Sequence, residues 1–296
     1  MKHTKSIAFG FYNGLGDVIS DKPVVEHFLD DGYDVEIYVY AWLVEFTEFL
    51  FPQASVKGIK DTKSIKNIEI KSDNFFLTPN YLHKFSFSKS SFFSYLLKSF
   101  ILKSKVKKLI AVDVLTILQF AFDVKKTYLD KHFFDRSFSL ITKSFKLEYP
   151  SFNSSFSKPK KMFVFPFSGR DSKDYPQSKF LKVLNSIKGV DITVFVQEKD
   201  LGRVDRGFFE YELKSLSLKE ITLMMDRETL VFANDSGTAH LGAMRGCSVV
   251  ALYGETNPKI YKPRGAGVIK TLNSLDKNVA NIDENMILSV INSLLS

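Results

Sequence analysis

Three short polar stretches in this chain carry side chains suited to a charged ligand or to proton transfer. The first is Asn13-Gly14-Leu15-Gly16-Asp17. A carboxylate that ends a glycine-rich turn can cap the following helix, worth about 1 kcal/mol. It can equally act as a general base where substrate meets the turn. Spacing alone leaves both roles open to Asp17. The second stretch is Ser168-Gly169-Arg170-Asp171-Ser172-Lys173-Asp174-Tyr175-Pro176, where Lys173 is either a surface lysine or an anion contact. The third is Asn234-Asp235-Ser236-Gly237-Thr238-Ala239-His240. Its composition is that of a turn, with Gly237 expected at positive φ. A helix beginning there presents free N–H groups and the positive end of its dipole, which bind phosphate without a cation.

The elements around these stretches follow from hydrophobic spacing. Thr229–Ala233 and Ser248–Tyr253 are short, apolar and β-branched, as buried strands should be. Thr238–Met244 between them has helical spacing, with Gly246 as its C-terminal stop. This is one βαβ unit, and ligands collect at the carboxyl ends of its strands. Ser6–Tyr12, a helix over Val18–Asp31 and the strand Asp34–Tyr40 repeat the pattern at the start of the chain. Gly10, Gly14 and Gly16 do not have the spacing of a dinucleotide fingerprint, and no Gly-Lys-Ser/Thr follows as in a phosphate-binding P-loop. The two turn glycines instead suit close approach of a ligand to the backbone.

Further elements are a strand at Phe75–Leu77, a strand at Lys107–Val112 and a mostly helical Val114–Lys146. The stretch Tyr149–Lys160 is rich in Ser and Pro without periodicity, and reads as a domain linker. Met162–Phe167 is a buried strand. Gln177–Ile187 is a helix placed just after Pro176, and Asp191–Val196 is a strand. Ser217 and Glu220 form a capping box for a helix that runs to Met225. An amphipathic helix, Asp283–Leu295, closes the chain.

The 296 residues suffice for two domains of ordinary size, with 45% apolar and 25% charged residues. The single cysteine, Cys247, excludes an intrachain disulfide and suits a reducing cytosol. Its place between a helix and a strand suits a buried structural thiol. The start of the chain lacks the pattern of a signal peptide, and Asp113 and Gln119 interrupt the longest apolar region, Leu109–Val124, so no membrane span is expected. The formal charge of +8 predicts an anionic partner. Between Lys89 and Lys108, Phe92, Phe93, Leu96, Leu97, Phe100 and Ile101 recur at helical spacing among lysines. That pattern fits an amphipathic helix packed on a sheet, or a face on an anionic membrane. Few of the cations are arginines and no recognised module is present, so nucleic acid is not expected.

The order and letters of the three stretches resemble glycosyltransferase family 9, the ADP-heptose:lipopolysaccharide heptosyltransferases. Asp-Ser-Gly-Thr-Ala-His followed by Gly-Cys-Ser-Val-Val-Ala-Leu-Tyr-Gly-Glu-Thr-Asn-Pro is similar to the family's donor-site segment. Asn-Gly-Leu-Gly-Asp is similar to its N-terminal motif, and the lysine one residue before Tyr175-Pro176 to its phosphate-contacting lysine. Tyr175 replaces the family's usual Trp, and Thr238 and Glu255 stand where Pro is common. The resemblance implies an α/β chain of two Rossmann-like domains facing across a cleft, the GT-B fold. Residues 1–150 would bind the acceptor and 161–296 the nucleotide sugar, with the C-terminal helix crossing back to the first domain.

It further implies an inverting, metal-independent transfer of heptose from ADP-heptose, without a cofactor, to a lipopolysaccharide core or related anionic glycolipid or glycan. Asp17 would be the catalytic base, with Asn13, Gly14, Leu15 and Gly16 beside the acceptor. The donor would meet Ser168, Gly169, Lys173, Asp235, Ser236, Gly237, Thr238 and His240, with Glu198, just after the strand ending at Val196, a candidate for the ribose. His240 is equally a structural helix-start residue. The implied location is cytoplasmic, with peripheral contact at the inner membrane. Two alternatives remain open at this point. One is a nucleotide-binding partner subunit without chemistry; the other is a family member using a different nucleotide sugar or a protein acceptor.

Overall fold

The computed structural model describes residues 5–12, 14–61, 67–77, 100–111, 131–142, 145, 148, 150–152 and 156–296. Two compact units divide the chain at Met1–Pro150 and Ser151–Ser296.

In the first unit, β1 (Ser6–Phe11), β2 (Asp34–Tyr40), β3 (Ser55–Ile59), β4 (Asn74–Leu77) and β5 (Lys108–Ala111) form a sheet in the order β3-β2-β1-β4-β5. All of these pairings are parallel. A parallel sheet is covered on both faces, so its strands must be apolar throughout. Accordingly Ile7, Ala8, Phe9 and Phe11 of β1 are fully buried. Strand order reverses between β1 and β4, the position at which open α/β sheets leave a crevice. The turn after β1 therefore places Asp17 at the edge where the strand order reverses.

The second unit repeats this plan. Its strands are β6 (Lys161–Phe165), β7 (Asp191–Phe195), β8 (Glu212–Lys214), β9 (Thr229–Asn234), β10 (Ser248–Tyr253) and β11 (Ile269–Asn273). They pair in parallel in the order β11-β10-β9-β6-β7-β8, a doubly wound arrangement. Here the order reverses between β6 and β9. The loops leaving those two strands hold Lys173 and Asp235. Phe232 of β9, buried against Phe180 of the helix Gln177–Ser186, anchors the core beneath them. Full burial of such a side chain is worth about 1.5–3 kcal/mol.

The helix Gly237–Met244 lies close on β9. A Cβ at Gly242 would stand 2.6 Å from Val231 Cγ2, so only glycine permits that approach. The helix ends as its sequence requires: Gly246 takes φ 77°, its N–H donates to the Ala243 carbonyl, and Cys247 N–H donates to that of Gly242. Cys247 is buried, and burial pushes its thiol up to about 12, an inert environment.

Two expectations need correction: the continuity of the first helix, with Asp17 as its cap, and positive φ at Gly237. The first helix is not continuous over Val18–Asp31: α1 (Leu15–Ser20) and α2 (Lys22–Asp30) meet at Asp21, with φ −92° and ψ 4°. Pro23 causes the break, because it has no N–H to give to Ile19 and its ring crowds that carbonyl. The helix also starts earlier than expected, at Leu15, so Asp17 lies inside α1, three residues past the cap position at Gly14, and is not itself the cap. Gly237 is not among the glycines with positive φ; it opens its helix, and the extended Ser236 before it makes the turn. The C-terminal helix, Glu284–Leu295, packs within the second unit through Ile287, Ile291 and Leu294. Lys179 and Lys182, on the helix it packs against, lie 3.5 and 3.6 Å from Glu284.

Most of the Phe- and Lys-rich segment falls outside the described residues, Lys89, Phe92, Phe93, Leu96, Leu97 and Lys98 included. In its described part, residues 100–105 are helical and Leu102 is buried. Lys107 pairs with Asp73 at 2.8 Å, and Lys103 donates to the Lys107 carbonyl at 2.9 Å. No helix among the described residues is long and apolar enough to cross a membrane.

Candidate active site

In the second unit the site is assembled by Asn234, the last residue of β9. Its side chain is fully buried; Nδ2 donates to the Pro166 carbonyl at 2.8 Å, and Oδ1 accepts the Tyr175 N–H at 3.0 Å. One amide therefore fastens both ends of the 168–176 loop to the end of β9. Tyr175 is buried as well, and its hydroxyl donates to the Ile282 carbonyl at 2.9 Å.

Held in this way, the loop brings Lys173 to Asp235, and the Lys173 ammonium donates to the Asp235 carboxylate. The Asp235 side chain is 9% exposed and that of Lys173 20%, so the pair is shielded from bulk water. An ammonium has three donors; one is spent on Asp235. Next to it, Ser236 precedes the helix Gly237–Met244 without capping it, and its hydroxyl instead lies 2.7 Å from that of Thr238. The first N–H groups of that helix have no intrahelical acceptor. A cation and an uncapped helix start thus share one edge of the sheet.

His240 sits one turn into the same helix. Desolvation of its ring pushes it down to about 4, and the Lys173 charge adds to that. The Asp235 carboxylate and a bond to the Tyr261 carbonyl oppose the shift without reversing it. The imidazole is therefore neutral at pH 7. The Tyr261 carbonyl also accepts from the Tyr253 hydroxyl at 3.1 Å, which ties the helix start to β10.

The other expected contact residues lie around the Lys173–Asp235 pair. The Ser168 hydroxyl donates to the Arg170 carbonyl at 2.7 Å and accepts the Arg170 N–H at 3.1 Å, so it closes its own turn. Gly169 is exposed beside it. Glu198 is exposed at the start of the 3-10 turn Glu198–Arg203, at the carboxyl end of β7. Of the organising residues, Asn234 was read only as part of a turn, and Arg203 lay outside every motif stretch. A lone Asn at the end of an apolar strand, next to a turn aspartate, was the available signal for Asn234.

In the first unit Asp17 is nearly buried, and its charge raises Tyr40, at the end of β2, after the larger effect of burial. Leu15 is buried and Gly14 carries φ 135°; Asn13 lies outside the described residues. One turn beyond Asp17, Asp21 is fully buried. Neither of its carboxyl oxygens has a hydrogen-bond partner among the described residues. Burial raises Asp21 well above the usual carboxylate range; Ser137 pulls it back only partly, and Asp17 adds to the rise. Among the described residues no group of three or more His, Cys, Asp or Glu is placed to hold a metal ion.

A sequence model of glycosyltransferase family 9 (heptosyltransferase) matches residues 70–286, which include both loops of the second unit. The chain belongs to glycosyltransferase family 9. It is accordingly a glycosyltransferase, although the Asp17 motif precedes the matched residues. No curated protein sequence matches. Among solved structures, the chain is similar to the E. coli heptosyltransferase WaaC with ADP. The two share 12% identity over 98% of this chain and 99% of that one, with a TM-score of 0.72. A family 9 glycosyltransferase from Veillonella parvula DSM 2008 has 20% identity over 100% and 98%, with a TM-score of 0.71. E. coli ADP-heptose lps heptosyltransferase II has 14% identity over 99% and 98%, with a TM-score of 0.69. At these identities the likeness is one of fold, and it covers both α/β units of the GT-B class.

Proposed function

We propose that this family 9 enzyme transfers heptose from ADP-heptose, with inversion, to a hydroxyl of a lipopolysaccharide core or related surface glycan. The second unit takes the donor and the first the acceptor. The observation that carries the donor side is the Lys173 ammonium, oriented by Asp235, beside the uncapped start of the Gly237 helix. Negative charge grows on the β-phosphate as the bond to the sugar breaks. A fixed cation and aligned N–H groups stabilise that charge more in the transition state than in the ground state, which lowers the barrier. The binding of ADP by WaaC supports the choice of nucleotide.

On the acceptor side, Asp17 takes the hydroxyl proton as the oxygen attacks the anomeric carbon. The carbon–oxygen bond to the diphosphate breaks, and ADP leaves with the electron pair. Such base catalysis contributes on the order of 10²–10⁴-fold. The chain's +8 formal charge favours an anionic glycolipid, approached from the cytoplasm with peripheral contact at the inner membrane. The reading asks for no metal, since Lys173 and the helix start meet the diphosphate charge.

The test is turnover of a panel of nucleotide sugars with a lipopolysaccharide-core acceptor, with product read by mass spectrometry. ADP-heptose should be consumed in preference to UDP- and GDP-sugars, with or without excess chelator. Preference for another nucleotide, or loss of activity on chelation, overturns the corresponding part of the proposal. Thermal shift gives a second readout, because a ligand at a hundredfold excess over its Kd stabilises by about 2.7 kcal/mol.

A further inference from the structure

Arg203 lies outside all three motif stretches, yet the 168–176 loop closes around it. Its Nε donates to Asp200 Oδ1 at 2.9 Å, which fixes the guanidinium to its own 3-10 turn. Nη1 donates to Asp171 Oδ1 at 2.7 Å, and Nη2 to Asp174 Oδ2 at 3.4 Å. The guanidinium Cζ lies over the Phe167 ring, 4.4 Å from the centroid, where the chain leaves β6. The loop is thus gripped at its root and on both sides of Lys173.

The backbone between the two gripped carboxylates is a tight turn. Lys173 N–H donates to the Arg170 carbonyl at 2.9 Å, and Asp174 N–H to that of Asp171 at 3.0 Å. Asp174 also accepts the Ser168 N–H at 2.6 Å, so a pull on Asp174 is felt at the start of the loop. With Asp171 and Asp174 tied to one guanidinium, the turn that carries Lys173 is braced on its outer side. On the opposite side, Asn234 holds Tyr175 and Asp235 holds the Lys173 ammonium. Arg203 supplies the outer half of this clamp.

We propose that Arg203 is a positioning residue for the donor diphosphate, acting through the Asp171–Asp174 turn to hold Lys173 where it meets phosphate. The inference rests on the donor-site reading given above. Arginine suits the role because its planar fork aims separate N–H groups at separate carboxylates while its face stacks on a ring. Lysine offers one point charge and no plane.

The experiment is a double-mutant cycle on ADP affinity, measured by calorimetry with the full chain. Arg203→Ala should weaken ADP binding about fivefold to tenfold in the wild-type background. In a Lys173→Ala background the same change should have no further effect, because the group it positions is gone. Arg203→Lys keeps a cation at the site and should still lose affinity; thermal melting checks that each variant is folded. Wild-type affinity in both Arg203 variants overturns the proposal. Equal losses in the two backgrounds overturn it as well, since Arg203 would then act without Lys173. Unchanged affinity in Lys173→Ala alone rejects the donor-site reading itself, and the role of Arg203 falls with it.

Discussion

Lys173 and Asp235 lie 62 residues apart in sequence, yet their side chains form an ion pair where the strand order of the second sheet reverses. The pair joins the loop after β6 to the loop after β9, at the edge where the proposed donor site lies. Lys173→Ala should weaken ADP by roughly 1.5–3 kcal/mol, the worth of a charge-assisted hydrogen bond. It should also lower the melting temperature, because Asp235 is left shielded without its partner. Calorimetry and thermal melting read the two effects separately. Full ADP affinity in this variant rejects the assignment of Lys173.

His240 gives the second unit a pH dependence of known sign. Its folded pKa of about 4 lies below its ordinary value, which in an unfolded chain is about 6.5. Above pH 6.5 the ring is neutral in both states. As pH falls toward 4 the unfolded chain takes up the proton first, so stability is lost across that window. His240→Gln should flatten the melting temperature between pH 7.5 and 5. Parallel pH profiles for the two proteins would show that His240 is not held neutral by the fold.

The inner strands of both sheets were legible in the sequence because a strand buried on two faces is apolar throughout, and β9 and β10 read that way; the outer strands β3, β8 and β11, partly exposed and interrupted by polar residues, were not. The capping box at Ser217 and Glu220 was legible too, since both of its bonds are local. The break at Asp21 was not, because Val18, Val24, Val25 and Phe28 keep one apolar face across it. Pro23, a proline inside an otherwise continuous helical pattern, was the signal. Arg203 was invisible for a different reason. Its carboxylate partners lie 3, 29 and 32 residues away, and no local pattern encodes such a meeting.

Asp21 makes the first unit depend on pH in the opposite sense to His240. Its ordinary pKa is about 3.9, and burial raises it far above that in the fold. Below pH 3.9 the carboxyl is neutral in both states. As pH rises, the unfolded chain ionises first, so stability is lost until the folded carboxyl also ionises. Asp21→Asn keeps the shape and removes the ionisation. Its melting temperature should exceed wild type at pH 7, and the gap should close near pH 4. A variant less stable than wild type at every pH would mean that the carboxyl makes a bond the amide cannot replace.

Asp17 carries the acceptor half of the proposed mechanism, and its position within α1 sharpens the test. With Gly14 at the cap position, the capping role no longer competes with the catalytic one. What Asp17 still gives the helix is a negative charge in the first turn, worth about 0.3–1 kcal/mol. Asp17→Asn should therefore cost little stability and leave ADP affinity unchanged, since the donor contacts are all assigned to the second unit. The amide cannot accept the acceptor's proton, so the rate should fall by about two or more powers of ten. That loss belongs in kcat with little change in donor KM, because proton transfer is an interaction of the transition state. Asp17→Glu, which keeps the base on a longer arm, should recover part of the rate. If Asp17→Asn transfers sugar at the wild-type rate, proton removal lies elsewhere, and the acceptor half of the mechanism fails while the donor site stands.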